Sequence, residues 1–164
     1  MTLRALFFAP LILLAAAAGP DRFTSGVWQG NANYDDEGYF SDCTMTAQAE
    51  KDILLGFVMS NDLDWGLVIA DETRTFEVGA RKAVLLIVDD REPMAAVAKV
   101  IDVHGILIPL KSSDAALDAM RHGKVLRIAS DQTEFSFQLT GTRDAIAALT
   151  QCVTAHQGTN RVQL

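Results

Sequence analysis

Two cysteines, three histidines and two acidic clusters are the residues of this chain whose types permit chemistry. Cys43 and Cys152 lie 109 positions apart. In an oxidising compartment two cysteines default to one disulfide. Closing so long a loop stabilises the fold by roughly 4–5 kcal/mol in the chain-entropy picture. The rival arrangement is a nucleophilic thiol activated by His104, His122 or His156, although oxidation in that compartment removes the thiolate. The histidines stand in no i, i+4 relation, so a zinc site would need them to converge from distant elements. Asn31, Asn33, Asp35, Asp36 and Glu37 place five oxygen donors within seven positions, the donor type that a hard cation prefers. Position 36 holds Asp where a calcium loop of the EF-hand type needs Gly, and turn-forming Asn and Asp explain the run without a metal. Asp89 and Asp90, adjacent on an extended chain, point to opposite faces and read as a charged turn. The chain contains no G-x-S-x-G elbow, H-E-x-x-H pair, phosphate-binding loop, dinucleotide glycine fingerprint or C-x-x-C motif. No catalytic, metal or cofactor-binding residue is expected. The enzymatic alternative is an envelope hydrolase or modifying enzyme with a noncontiguous histidine and carboxylate site.

The 14 basic and 21 acidic side chains give a net charge of −7, a field that repels phosphate backbones and excludes a nucleic-acid partner. After Arg4, the 13 residues from Leu6 to Ala18 carry no charge. A membrane-spanning helix needs roughly 20. Ala16-x-Ala18 and Ala15-x-Ala17 both satisfy the small-residue cleavage rule, so residues 1–18 read as a signal peptide and 19–164 as a single periplasmic or secreted domain. No cysteine near the cut permits lipoprotein acylation. No later apolar run is long enough to span a membrane.

The elements that must position these residues are mostly strands. Gly26–Gly30, Tyr39–Ala47, Ile53–Met59, Trp65–Ala70, Thr75–Val78, Ala83–Val88, Met94–Val103, Gly105–Leu110, Lys124–Ala129 and Glu134–Leu139 carry alternating or continuous apolar patterns bounded by turn residues. Ile53–Met59 is apolar at almost every position, as expected of a strand covered on both sides or of one whose outer face meets a partner. A short helix is expected near 113–122, capped by Ser112 or Ser113 and stopped by Gly123. A second, near 142–155, starts after Gly141 and turns Ala145, Leu149 and Cys152 toward the core. Strands without regular helix alternation predict a mainly β fold, an antiparallel β-sandwich with two short helices. Trp65 is expected in the core. Trp28, beside Gln29, Gly30 and Asn31, is compatible with core or with a recognition patch.

The spaced series Trp28, Cys43, Trp65, Val88-Asp89, Ile108-Pro109-Leu110, Met120-Arg121-x-Gly123, Phe135-x-Phe137-x-Leu139-x-Gly141 and Ala145…Leu149…Cys152-Val153 resembles bacterial exported proteins of the invasion-associated locus B family. The resemblance covers most of the chain after the leader. It implies a small periplasmic or surface-associated β domain without established enzymatic activity, of a kind linked in some members to host-cell entry. It also implies the Cys43–Cys152 pair, and it implies no binding residues. The function expected is therefore non-enzymatic binding of a protein or cell-envelope component, without a cofactor. A sheet edge can recruit a partner through main-chain hydrogen bonds alone. The segment Gly105–Leu110, with Ile106 and Ile108, is the expected partner edge because Pro109 suits a strand end or edge.

Overall fold

The computed structural model describes residues 21–157 apart from 51, 112 and 132. The expected signal peptide, residues 1–18, lies outside the described residues. Ten strands are followed or interrupted by two helices: β1 (Arg22–Ser25), β2 (Trp28–Tyr34), β3 (Phe40–Glu50), β4 (Ile53–Ser60), β5 (Trp65–Asp71), β6 (Arg81–Val88), β7 (Met94–Asp102), β8 (Gly105–Lys111), α1 (Asp114–His122), β9 (Val125–Ala129), β10 (Glu134–Gln138) and α2 (Thr142–His156). All pairings are antiparallel, and the strands form one continuous sheet in the order β1-β2-β3-β4-β5-β8-β7-β6-β9-β10. The mainly β, antiparallel architecture with two helices is thus the one adopted.

One core fills the inner face. Trp28, Cys43, Met45, Phe57, Leu67 and Ile69 from the first strands share it with Leu86, Ile108 and Leu126 from the later ones. Both helices lie on this side: Ala116, Ala119 and Met120 of α1 and Ile146, Leu149 and Val153 of α2 belong to the same cluster. Trp28 is only 1% exposed, packs 5.2 Å from Phe57 and donates its indole N–H to the carbonyl of Thr140, which settles it as core. Trp65 is also buried and stacks on Phe57, ring centroids 6.3 Å apart.

Helix boundaries follow from local chemistry, with two departures. Gly141, with φ of 75°, supplies the left-handed turn from which α2 starts, and the buried hydroxyl of Thr142 lies within hydrogen-bond reach of the carbonyls of Met120 (2.8 Å) and Leu139 (2.9 Å). Ser113 occupies the N-cap of α1 without making a side-chain cap bond. Gly123 ends α1 at φ −76°, an ordinary conformation; a Cβ there would lie 2.2 Å from Val88, so close packing, not handedness, demands glycine.

Three sequence expectations need correction. Thr75–Val78 is a loop, pinned where the Phe76 N–H donates to the Val103 carbonyl and the Gly79 N–H to that of Val100. Arg22–Ser25, given no element by pattern, is a strand paired with β2. The expected partner edge is interior: Ile106 pairs with Ile69 of β5 on one side and Val100 of β7 on the other, while Ile108 pairs with Leu67 and is fully buried. Pro109 is accommodated because the β7 ladder ends at Leu107 and the β5 register shifts beside Gly66, leaving no obligatory N–H partner at that position.

Candidate functional site

The cysteines form the expected disulfide, Cα atoms 6.3 Å apart, joining β3 to α2. No free cysteine remains among the described residues, so the Cys43, Cys152 and His156 cluster offers no thiolate nucleophile and no metal-binding thiolate. His156 is the histidine closest to a constellation. Its ring is buried, stacks on Phe40 at 5.1 Å and places Nε2 3.1 Å from the Asp21 carboxylate, which also accepts from the Tyr34 hydroxyl at 2.8 Å. The Tyr34 hydrogen bond, then that of His156, holds the Asp21 carboxyl below its ordinary value, and Asp21 in turn raises that of Tyr34. The Nδ1 atom of His156 faces the Cys152 carbonyl at 2.7 Å. Nδ1 thus faces a carbonyl and Nε2 a carboxylate, so both ring nitrogens lie within hydrogen-bond distance of oxygen atoms. The cluster ties the chain before β1 to the end of α2.

The other histidines stand apart. His104 Nδ1 bonds the Arg74 carbonyl at 2.7 Å, and His122 pairs with Asp118 one helical turn away. The acidic runs are explained locally. Asp35 accepts from the N–H groups of Glu37 and Tyr39, closing the β2–β3 turn, and Asn33 bonds Asp42 and Thr44 across the strands. Asp89 accepts from the N–H groups of Lys124 and Val125.

Two features on the sheet extend the sequence reading, in which a partner-facing outer side is one of two alternatives for Ile53–Met59. The first is a cavity of about 50 Å³ on the inner side, walled by Ile69, Val84, Ile108 and Phe135 with Lys82 and Thr133 at its polar side. A cavity that takes benzene has a volume of roughly 150 Å³, so this space is too small for an organic ligand. The second is the outer face. Leu54 and Val58 of β4, Val68 of β5, Leu107 of β8, Val97 of β7, and Ala83, Leu85 and Ile87 of β6 all have the parity opposite to the buried residues. Cross-strand pairing aligns Gly56, Val68, Leu107 and Lys99 in one row and Val97 with Ala83 in the next. Leu85 is 44% and Val97 41% exposed. Both helices cover the opposite side, so no described element lies over this apolar strip. Arg81 and Lys99 stand at one end and Arg127, opposite Ile87, at the other. The signal for this surface is apolarity at both parities: it is present in Ile53–Met59 and Ala83–Val88.

No family model matches the chain, and no curated protein matches it. Among solved structures it matches the crystal structure of invasion associated protein B from Bartonella henselae. The two share a fold. The superposition has a TM-score of 0.60 over 82% of this chain and 97% of the Bartonella protein, at 21% sequence identity. The resemblance drawn from scattered Trp, Gly and Cys positions is thus matched in three dimensions. Among the described residues no helix is long and apolar enough to cross a membrane.

Proposed function

We propose that this chain is an exported, non-enzymatic binding protein that engages a protein or cell-envelope component through the outer face of its sheet. The observation that carries the reading is the strip around Leu85 and Val97, apolar and left bare by both helices. An antiparallel sheet with one solvated face ordinarily shows polar residues there, and a contiguous apolar patch marks an interaction surface. Periplasmic or secreted placement is supported by the Leu6–Ala18 run ahead of the domain and by the Cys43–Cys152 disulfide. A role in contact with a host is supported by the shared fold with a protein described as invasion associated. A binding role without catalysis is supported by the Cys43–Cys152 disulfide, which leaves no thiol nucleophile among the described residues.

The test is site-specific photo-crosslinking in the producing cell. A photoreactive phenylalanine analogue replacing Val97 should yield a discrete adduct, whereas the same analogue at Gln151, exposed on α2 on the opposite side of the sheet, should not. Equal labelling at both positions, or none at Val97, overturns the assignment.

A further inference from the structure

We propose that the partner element docked on β6, β7 and β9 is an acidic amphipathic helix of another protein; the inference rests on the outer face being the binding surface. Arg81 and Lys99 are direct cross-strand partners and leave the face side by side. Like charges placed opposite one another on a sheet destabilise it. Among the described residues neither has an acidic partner, nor does Arg127. Arg127 lies opposite Ile87, six positions along β6 from Arg81, so about 20 Å separates the two cationic ends at the strand's rise per residue. Ala83, Leu85, Ala95 and Val97 fill the interval. Glu134, opposite Ala129, borders the strip on the β10 side and leaves its net charge positive.

In a chain of net charge −7, an apolar strip with uncompensated cations at both ends is complementary to an apolar stripe with carboxylates at both ends. A helix of about 13 residues spans that distance, and a helix laid on a sheet is an ordinary packing layer. A second copy of the chain is disfavoured, because a two-fold contact through this face sets the strip's cations against their own copies. An anionic lipid surface is disfavoured by the placement of the aromatic residues that anchor at membrane interfaces: Trp28 and Trp65 are in the core, and Tyr34 and Tyr39 flank the β2–β3 turn.

The probe is a fluorescently labelled helical 14-mer with Leu and Ala along one side and paired Glu in its first and last turns, compared with its Lys counterpart and with phosphatidylglycerol vesicles. The purified protein should raise the anisotropy of the Glu peptide and bind the Lys peptide at least tenfold more weakly. The variant R81E/K99E should lose at least tenfold for the Glu peptide and gain for the Lys peptide. R127E, on a different strand, should weaken the Glu peptide several-fold with an unchanged circular dichroism spectrum, which separates recognition from folding. Equal binding of the two peptides, undiminished binding by the charge-reversed variants, binding of neither peptide, or binding of vesicles alone overturns the proposal. A Val97 adduct that persists beside such a result retains the binding surface and rejects only the acidic helix; loss of the adduct rejects both.

Discussion

Asp89 shows how one carboxylate can organise a junction between two strands. It sits at φ 53°, a left-handed conformation that Asp tolerates better than most residues. Its N–H donates to the Val125 carbonyl at 2.9 Å while its side chain accepts from the N–H groups of Val125 and Lys124, so the end of β6 is fastened to the start of β9. The Val125 N–H, followed by that of Lys124, holds the Asp89 carboxyl below its ordinary value. A lowered folded-state value means that the charged form adds stability above the unfolded value of about 3.9, and that this stability disappears as pH falls through the folded value. Asp89→Asn should therefore melt below the natural protein at pH 7, and the gap should close toward pH 3. Thermal unfolding at pH 7, 5 and 3 checks this; a gap independent of pH would show that the charge contributes nothing. The charged turn at Asp89-Asp90 is legible in sequence, but its partners are 35 and 36 residues away, beyond what turn chemistry reveals.

At the scale of elements, the two helices and nine of the strands are legible because their signals are local: period-two alternation, Gly141 before α2, charged turns after the apolar runs. What local pattern does not report is how many neighbours a strand has. Gly105–Leu110 looks like an edge because of Pro109, yet β8 lies between β5 and β7, and the proline occupies the stretch past the last β7 pair. Conversely, the short polar strand β1 takes a true edge of the sheet and has no apolar signature to announce it. The bare apolar face is half legible, since apolarity at both parities in Ile53–Met59 fits a doubly covered strand as well as one whose outer face is open. The disulfide links early and late elements, β3 with α2, and closes a 109-residue separation. Replacing Cys43 and Cys152 together with alanine should cost up to about 4–5 kcal/mol, the loop entropy returned to the unfolded chain. Urea unfolding of the variant beside the natural protein measures it, and a difference below about 1 kcal/mol would show that the link adds little to the packing already in place.

Across the whole molecule, two halves can be distinguished by connectivity. Strands β1–β5 form a simple meander backed by α2, whereas β8, β7 and β6 run back in reverse order and carry β9 and β10 beyond them. The halves are joined along β5 and β8 by six register pairs, from Trp65–Lys111 to Ala70–Gly105. They also share a core, since Leu67 and Ile69 belong to one cluster with Ile108, Val84 and Ile128. Arg74 adds a bridge at one end: its Nε lies 3.2 Å from the buried Asp71 carboxylate, its guanidinium stands over the Phe135 ring, and it donates to the Thr133 hydroxyl. A sheet hydrogen-bonded without interruption around a shared core should unfold as one unit, the usual behaviour of single domains of this size. Tryptophan fluorescence offers a one-sided probe, because Trp28 and Trp65 both lie in the first half, on β2 and β5. Far-UV circular dichroism reports strands from both halves. With the disulfide intact, the two signals should follow the same urea transition with the same midpoint and slope. A dichroism change that precedes or trails the fluorescence change would mean that the β6–β7–β8 meander melts separately, and that the β5–β8 pairing is a boundary between two units and not the middle of one.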